Sequence, residues 1–337
     1  MRRPQFPNSA NLIALLSIST LGYLIIFQLR LLDLHTTLFA SEEQRVESYD
    51  FRETKEERIC FNDVDTSSEP IPNVVHVLWG IHDAEMTFIN YLVIRSALTS
   101  LRPDALKIHY EELNEKNVWF QKLQLHDNIT LVHHNMSMEY PKQIHENWKA
   151  SHLADALRLD ILQREGGIYL DMDVISLRSF ERLRHSKRDV LLGHEGGDRR
   201  GLCNAVILAR KDAPFLERWI DSYSNFDVEE WNYHSVLLPK KLASKHPDRV
   251  CPLAPTAFFW PTYTPQHLRY MHEPITKDEA LELEILLNAN GGGLYPDQLA
   301  YHAWSQVAWA EYLQHLTPEI VSKRDTRFNI MVRQFLN

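Results

Sequence analysis

One segment restricts the fold of this chain more than any other, because it joins a helix, a glycine pair and a strand. Residues 148–174 read WKASHLADALRLDILQREGGIYLDMDV. Leu153, Leu157 and Ile161 recur every four residues and predict one apolar helical face. The glycine pair predicts the end of the helix, since glycine readily takes the left-handed conformation found there. The apolar run that follows predicts a strand entered directly from the helix.

Two aspartates stand near the end of this strand. Strand side chains alternate between faces, so Tyr169, Asp171 and Asp173 share one face if the strand continues that far. Ligands of open α/β sheets bind at the carboxyl ends of strands. The two carboxylates either face solvent or hold a metal ion. The second Asp-x-Asp of the chain, at residues 63–65, has neither a helix nor a glycine pair before it, so spacing by itself does not decide.

The residues before this segment indicate an α/β fold. PNVVHVLWG at residues 72–80 predicts a buried strand, and residues 88–101 have a helical pattern. ALKIHYEEL at residues 105–113 predicts a second strand. Strands that alternate with helices favour a parallel sheet.

The segment resembles the DXD-containing sugar-binding region of family-32 glycosyltransferases, with its pattern Ala-Asp-x-x-Arg followed by Gly-Gly-x-Tyr-x-Asp-x-Asp. IPNVVHVLWG at residues 71–80 is similar to the first strand of that family. CNAVILARKDAPFL at residues 203–216 and YHAWSQ at residues 301–306 resemble two later elements. The resemblance implies a single catalytic domain of the GT-A fold, a Rossmann-like nucleotide-diphospho-sugar transferase, and a retaining hexosyl transfer in the Golgi.

The resemblance also implies a role for each matching residue. A Mn²⁺ or Mg²⁺ ion would be held by Asp171 and Asp173, of which Asp173 is the firmer ligand, and His302 could join them. The metal would stabilise the negative charge of a diphosphate leaving group. Catalysis is assigned to the two aspartates and to Arg158. The residues expected to bind the nucleotide sugar are Trp79, Asp155, Arg158, Tyr169, Asp171, Asn204, His302 and Trp304.

Several of these roles compete with structural alternatives. Asp155 and Arg158, three apart on a helix, could form only a local salt bridge. Trp79 could be a core tryptophan rather than the platform for the base. The indole N–H of Trp304 is expected to donate a hydrogen bond to a leaving oxygen, and Asn204 is expected on the acceptor side.

The substrates stay open at this stage. The donor is a GDP-hexose or a UDP-hexose, and the acceptor is a glycan or a glycolipid. The stretch NYHSVLLPKKLASKHPDRV, residues 232–250, lacks the Thr-Gly-Pro turn common in the family, which leaves the acceptor undefined. No carboxylate stands out as a nucleophile, so a same-face reaction is expected.

The N-terminus predicts a membrane anchor. Residues 12–29 carry no charge, and Arg2 and Arg3 precede them. This length is near the lower limit for a bilayer-spanning helix, and the arginines favour a cytosolic N-terminus. A cleaved signal peptide is the alternative. The predicted organisation is a cytosolic tail at 1–11, a transmembrane signal anchor at 12–32, a stem at 33–70 and a luminal catalytic domain at 71–337.

Two sequons agree with a luminal, single-pass type II arrangement. Asn128-Ile-Thr and Asn135-Met-Ser are candidate glycosylation sites. The cysteines, Cys60, Cys203 and Cys251, are too few for a disulfide-built scaffold, and their pairing is left open.

Composition and motifs also weigh against other classes. A formal net charge of −9 without a basic block argues against a nucleic-acid partner. A two-metal phosphohydrolase would need several dispersed ligands that the sequence does not show. A non-catalytic luminal binding protein that keeps the transferase fold is the remaining alternative.

Overall fold

The computed structural model describes residues 42–47, 53–79, 81, 85–140, 142–143, 148–227, 230 and 232–336. The predicted cytosolic tail, the predicted anchor and much of the predicted stem lie outside these residues. Within the described ranges, we find no helix whose length and hydropathy would let it cross a bilayer. The chain divides into two compact units, Met1–Val46 and Glu47–Asn337. The description below concerns the second.

A seven-stranded mixed sheet forms the centre of this unit, and two further strands form a separate small sheet. The order in the large sheet is β3-β2-β1-β4-β7-β6-β8, and β5 pairs with β9. The strands are β1 Val74–Leu78, β2 Ala105–Tyr110, β3 Ile129–His133, β4 Gly167–Leu170, β5 Val174–Ser176, β6 Val190–His194, β7 Leu202–Ala209, β8 Val250–Leu253 and β9 Ala300–His302.

The α/β class is confirmed, while the expectation of a purely parallel sheet is wrong. Strands β3, β2, β1 and β4 run parallel, but β7 is antiparallel to both β4 and β6. All eight residues of β7 are buried. A strand that is buried on both faces reads as an apolar run, and such a run does not indicate its direction.

Helices connect and flank the strands, and the predicted helix at 88–101 is confirmed. Helix Glu42–Glu47 belongs almost entirely to the first unit. The described α-helices of the second unit are Lys55–Asn62, Phe88–Leu101, Val118–Leu123, Met136–Glu139, Ala150–Glu165, Glu181–Arg184, Pro214–Ser222, Leu238–Lys245, Pro255–Phe258, Pro265–His272, Lys277–Ala289, Ser305–Ala308, Pro318–Lys323 and Arg327–Val332. Short π-helical turns occupy Tyr233–Leu237 and Trp309–Leu313, and 3₁₀ turns occupy Tyr223–Asn225 and Arg333–Phe335.

The helix–glycine–strand segment folds as predicted. Helix Ala150–Glu165 buries the apolar stripe of leucines and isoleucine and ends at Gly166. Gly166 and Gly167 have φ angles of 68° and 109°, where a side chain is strained. A Cβ atom on Gly167 would also lie 2.6 Å from the carbonyl oxygen of Val74. The glycine pair therefore lets β4 enter the sheet directly beside β1.

Apolar residues of β4 divide between two cores. Ile168 and Leu170 belong to one buried cluster, and Tyr169 belongs to the other. This alternation is what a central strand with both faces covered requires. It places the start of the Asp-x-Asp motif at the edge of both cores, where β4 ends.

Part of the predicted stem lies on this unit. Helix Lys55–Asn62 is linked to β8 by a disulfide between Cys60 and Cys251, while Cys203 is a buried free thiol. The disulfide answers the pairing that the sequence left open. The predicted boundary at residue 71 stays a prediction.

The second Asp-x-Asp motif follows this helix and is engaged in local contacts. Asp63 lies 2.8 Å from the Nζ atom of Lys187. Asp65 accepts a hydrogen bond from the backbone N–H of Ser67 at 2.9 Å. The prediction that no helix precedes this motif is wrong, since helix Lys55–Asn62 ends directly before Asp63, but no glycine pair stands between the helix and the motif.

Candidate active site

The Asp-x-Asp motif lies in the connection between β4 and β5. Strand β4 ends at Leu170, and Met172 and Asp173 form a turn that is closed by a hydrogen bond from the Val174 N–H to the Asp171 carbonyl at 3.0 Å. The predicted strand face is therefore wrong for Asp173, because the chain leaves the sheet before that residue. Strand β5 then pairs with β9 and sets Val174 opposite His302.

Three candidate metal ligands converge at this turn. One ligand atom from each of Asp171, Asp173 and His302 lies within 4.8 Å of the others. The Nε2 atom of His302 is 3.1 Å from Oδ1 of Asp173. The Nδ1 atom of His302 is buried, and no residue in the described part of the chain bonds to it. Two carboxylates and one imidazole form a donor set that suits Mn²⁺ or Mg²⁺, so the residues fit the metal that the sequence predicted.

Asp173 is held as a charged group. Burial acts to raise the pKa of its carboxyl, but His302 and two hydrogen bonds from Ser305 outweigh burial and keep that pKa below its ordinary value. Ser305 donates from its backbone N–H at 2.8 Å and from its hydroxyl at 2.7 Å, both to Oδ2. Burial acts to lower the pKa of His302, but Asp173 raises it above the ordinary value. The two pKa shifts both favour an ion pair between Asp173 and His302.

Arg158 joins the helix to the motif. Its guanidinium lies 2.9 Å from Oδ1 of Asp171 and 3.1 Å from Oδ1 of Asp155. It also donates to the carbonyl oxygen of Asn204 at 3.1 Å and stacks over the ring of Tyr169 at 4.6 Å. The local pair with Asp155 exists, but it is only one part of a buried network across three elements. Such a network fixes where the positive charge lies beside the metal ligands.

Asp155 is buried at the centre of that network. Burial raises the pKa of its carboxyl, while Arg158 and a hydrogen bond from Asn204 oppose the rise. The side-chain amide of Asn204 donates to Oδ1 of Asp155 at 2.7 Å. The structure thus places the side chain of Asn204 against Asp155. The role of Asn204 on the acceptor side stays a prediction.

Tyr169 and Asp171 form a close pair. The hydroxyl of Tyr169 donates to Oδ1 of Asp171 at 2.6 Å, and the ring is buried. The same oxygen receives the Arg158 guanidinium, whereas Oδ2 of Asp171 has no hydrogen-bond partner among the described residues. This oxygen is the free position that a cation or a sugar hydroxyl can use.

A cleft of about 640 Å³ opens over these residues. Two tryptophans line it, Trp79 at the end of β1 and Trp304 just after β9. The indole N–H of Trp304 donates to the carbonyl oxygen of Pro261 at 2.9 Å. Its predicted hydrogen bond to a leaving oxygen is therefore wrong, because a buried N–H is satisfied within the fold. The ring itself contacts His302, with ring centres 4.1 Å apart.

Three polar residues, Ser305, Asn90 and Glu195, are among the cleft residues that sequence reasoning missed. Ser305 directly follows Trp304 within the YHAWSQ element, so its place in that motif could have identified it as a site residue. Asn90 comes from helix Phe88–Leu101 and donates to the carbonyl oxygen of Met172 at 3.1 Å, with no motif around it. Glu195 follows β6 and also lines the cleft. Only the packing of distant segments brings these side chains to the site.

Comparison with known proteins gives a family match for this region. Residues 92–190 match the model described as "Glycosyltransferase sugar-binding region containing DXD motif". The chain is 33% identical over 283 residues to glucan organizing enzyme 1 of Cryptococcus neoformans var. grubii, covering 79% of this chain and 71% of the relative. It is 25% identical over 182 residues to a toxin of Photorhabdus asymbiotica, covering 49% of this chain and 6% of the toxin.

Solved structures of low similarity were also found. The PaToxG glycosyltransferase has a TM-score of 0.42 and 17% identity, covering 84% of this chain and 91% of that one. The galactosyltransferase LgtC, in complex with donor and acceptor sugar analogs, has a TM-score of 0.34 and 12% identity, covering 74% and 99%.

Proposed function

Because the chain belongs to family 32 of the glycosyltransferases, whose sugar-binding region contains the DXD motif, we propose that it is a metal-dependent, retaining hexosyltransferase. The donor is a GDP-hexose or a UDP-hexose, and the acceptor is a glycan or a glycolipid. One observation carries the proposal: Asp171, Asp173 and His302 converge beside the Arg158 guanidinium in one cleft. The GT-A arrangement is part of the same proposal, supported by the parallel order β3-β2-β1-β4 with the motif directly after β4.

The metal would be held by the two aspartates and His302. When bound, a divalent cation neutralises the charge that builds on a departing diphosphate. Asp173 is ionised and held by Ser305, so it offers a fixed carboxylate for this purpose. Burial of this carboxylate in a water-poor site strengthens every charge interaction made there.

The residues of the chain bind and orient the donor in this proposal. Arg158 keeps Asp171 in place and sets a positive charge beside the metal ligands. Asp155 accepts hydrogen bonds from donor hydroxyls through Oδ2, since its Oδ1 is taken by Arg158 and Asn204. Trp79 is half-buried at the mouth of the cleft and offers its exposed face to the base.

Retention of the sugar configuration is proposed to follow a same-face route. Asp155, Asp171 and Asp173 each have buried partners that hold them in other roles. The hydroxyl of the acceptor would pass its proton to the departing phosphate oxygen on the same face. Trapping a glycosyl adduct on Glu195, the other carboxylate that lines the cleft, would replace this route by a covalent one.

A Golgi location as a single-pass type II membrane protein is also proposed. Its support is the uncharged run at residues 12–29, the arginines before it and the two sequons. The Cys60–Cys251 disulfide adds support, since disulfides form in the oxidising secretory compartments and are rare in the cytosol.

The name of the Cryptococcus relative, glucan organizing enzyme 1, adds a class of acceptor to test. Glucan oligosaccharides therefore belong beside N-glycans and glycolipids in an acceptor panel. A non-catalytic binding protein of the same fold is the alternative that such a panel must separate.

The deciding experiment measures release of UDP and GDP by the full chain from a panel of nucleotide sugars, with Mn²⁺ and with a chelator. Asp173→Ala removes the proposed ligand, and Asp65→Ala is the matched control in the other Asp-x-Asp motif. We expect metal-dependent release from one donor, lost in Asp173→Ala and kept in Asp65→Ala. Folded protein that neither releases nucleotide nor binds any donor with metal would support the binding-protein alternative.

A further inference from the structure

The large sheet has two edges that the chain treats differently. Strand β8, at one edge, is mostly buried and faces helix Lys55–Asn62, which the Cys60–Cys251 disulfide ties to it. Strand β3, at the other edge, pairs with β2 and with no other strand among the described residues, and its residues are exposed or partly exposed. Alternate backbone N–H and C=O groups of such an edge strand point away from the sheet and can pair with another chain.

Strand β3 and the residues directly beside it lack the usual protection of an open edge, although Asp127 and Glu139 lie just beyond them. Natural edge strands carry lysine, proline or inward-pointing charges that discourage pairing. Residues 128–138, NITLVHHNMSM, contain no lysine, arginine, aspartate, glutamate or proline. The edge is therefore neutral, rich in β-branched residues and open, which is the combination expected to associate.

One exposed apolar side chain, Leu131, lies on the edge strand itself, and others are near it in the sequence. Among the described residues, large apolar side chains are exposed at several positions close in sequence to β3. They are Val118 at 56%, Leu125 at 81%, Leu131 at 37% and Met138 at 78% exposure. Exposed apolar surface of this kind marks either an interaction site or a region that is covered by something else.

The two sequons stand at the two ends of this strand. Asn128 directly precedes β3, and Asn135 follows it by two residues. The side chain of Asn135 is exposed and caps helix Met136–Glu139 through its carbonyl oxygen, which accepts from the Met138 N–H at 3.1 Å. The amide of Asn128 donates to the carbonyl oxygen of Pro103 at 3.2 Å. A glycosylated amide keeps one N–H, so this hydrogen bond can persist.

We propose that N-linked glycans on Asn128 and Asn135 cover the open edge at β3 and stop it from pairing with a second copy of the chain. The inference rests on the luminal placement in the proposed function. In the modification, the asparagine nitrogen bonds to the anomeric carbon of an oligosaccharide carried on a polyprenyl diphosphate. The C–O bond to the diphosphate breaks and the nitrogen loses one proton. Glycans at surface sequons are bulky and solubilising, as this role requires.

Glycan occupancy is the first measurement. The full chain is made in eukaryotic cells, purified in detergent and analysed by peptide mass spectrometry, beside Thr130→Gln and Ser137→Ala, which each destroy one sequon. We expect one glycan on each asparagine and the loss of one glycan in each variant. A chain with a glycan at neither site, or at only one, would overturn the proposal.

Association is the second measurement. Light scattering compares the wild-type chain, the double variant, and folded wild-type chain whose glycans have been removed enzymatically. The last sample separates an effect of the glycans from a folding defect. We expect the wild-type chain to be monomeric and both glycan-free samples to at least double their mass at micromolar concentration. A glycan-free chain that remains monomeric would refute the proposal that the glycans prevent pairing at β3.

A rescue variant tests whether β3 is the surface that associates. Leu131→Lys places a charge on the edge strand, and Leu281→Lys places the same charge on an exposed leucine of helix Lys277–Ala289. Only Leu131→Lys should return the double variant to a monomer. Equal rescue by both would show a general gain in solubility and contradict the role of the edge. Nucleotide release is measured for every variant, so loss of catalysis is distinguished from loss of glycan cover.

Discussion

At the scale of single residues, the site is a set of charges that are fixed by their neighbours. Asp173 has both oxygens engaged, one with His302 and the other with Ser305. Asp171 has one oxygen held by Tyr169 and Arg158 and the other open. Carboxylates fixed in this way would hold a divalent cation without rearrangement, and that cation would stabilise a departing anion.

Arg158 should be needed as an arginine. Its planar guanidinium contacts Asp171 and Asp155 together, and the single ammonium of lysine cannot reproduce both contacts. We expect Arg158→Lys to lower kcat for nucleotide release about 10²-fold, in the range that loss of a preorganised donor causes. Arg164→Lys, on an exposed position of the same helix, is the control and should keep full activity. Equal kcat values for the two variants would contradict this role.

The Asp173–His302 pair should make stability depend on pH in the absence of metal. The pKa of Asp173 is lowered in the folded state, so its contribution is present above its unfolded pKa of about 4 and is lost as the pH falls further. The pKa of His302 is raised, so its contribution is full below its unfolded pKa of about 6.5 and is lost as the pH rises through the folded value.

The test is thermal unfolding in chelator from pH 5 to pH 9 for the wild-type chain and His302→Gln. We expect the Tm advantage of the wild-type chain to be largest between about pH 4 and 6.5 and to shrink at higher pH. His315→Gln, in a turn near the C-terminus, is the control. A Tm difference that does not change with pH would show that the ion pair contributes nothing.

At the scale of elements, a chain of three histidines crosses the parallel half of the sheet. His76 of β1 bonds to the carbonyl of Gly166 at 3.0 Å and to His109 of β2 at 3.0 Å. His109 bonds to His134 at 2.9 Å, and His134 bonds to Glu139 at 2.9 Å. A carbonyl only accepts, so Nε2 of each histidine donates and Nδ1 of the first two accepts. The chain thus ties β1, the residue after β3 and the end of helix Ala150–Glu165 together.

Burial keeps the central histidines neutral, because it lowers the pKa of His76 to about 4 and that of His109 to about 2. Replacing His109 by leucine would leave a buried acceptor on His76 and a buried donor on His134 unpaired. We expect His109→Leu to lower the free energy of unfolding by about 2–4 kcal/mol, from two unsatisfied groups. Urea unfolding measures it, with His133→Leu on exposed β3 as the control. A loss in the free energy of unfolding no larger than that of the control would disprove the structural role of His109.

At the scale of the whole molecule, the site depends on contacts between distant parts of the chain. Asp155 and Arg158 come from one helix, the aspartates come from the turn after β4, and His302 and Ser305 come from the C-terminal part. The pairing of β5 with β9 brings the last of these to the turn. The disulfide between Cys60 and Cys251 joins helix Lys55–Asn62 to β8 across a sequence separation of 191 residues.

Removing that disulfide should destabilise the fold. A cross-link over so long a loop restricts the unfolded chain, and its removal typically costs about 2–5 kcal/mol. Cys60→Ser should therefore have a lower Tm than the wild-type chain. A reductant should lower the Tm of the wild-type chain to the same value and leave Cys60→Ser unchanged. A variant that still responds to the reductant would contradict this account.

Features that depend on neighbours along the chain were predictable from the amino-acid sequence. The helix with its leucine stripe, the glycine pair, β1, β2 and the strand that leads to Asp171 all follow from local sequence patterns within about thirty residues. The Ala-Asp-x-x-Arg pattern likewise placed Asp155 and Arg158 on one helical face. These elements were predictable because local backbone preference and global packing agree there.

Features that depend on contacts between distant segments became known from the folded structure and not from the sequence. The antiparallel direction of β7, the pairing of Cys60 with Cys251 and the engagement of the Trp304 indole by Pro261 are of this kind. So are the hydrogen bonds of Asn90 and Ser305 to the turn that holds the aspartates. A residue's periodicity shows which face it buries, but not which distant atom satisfies its polar group, because that partner is set by how the elements pack.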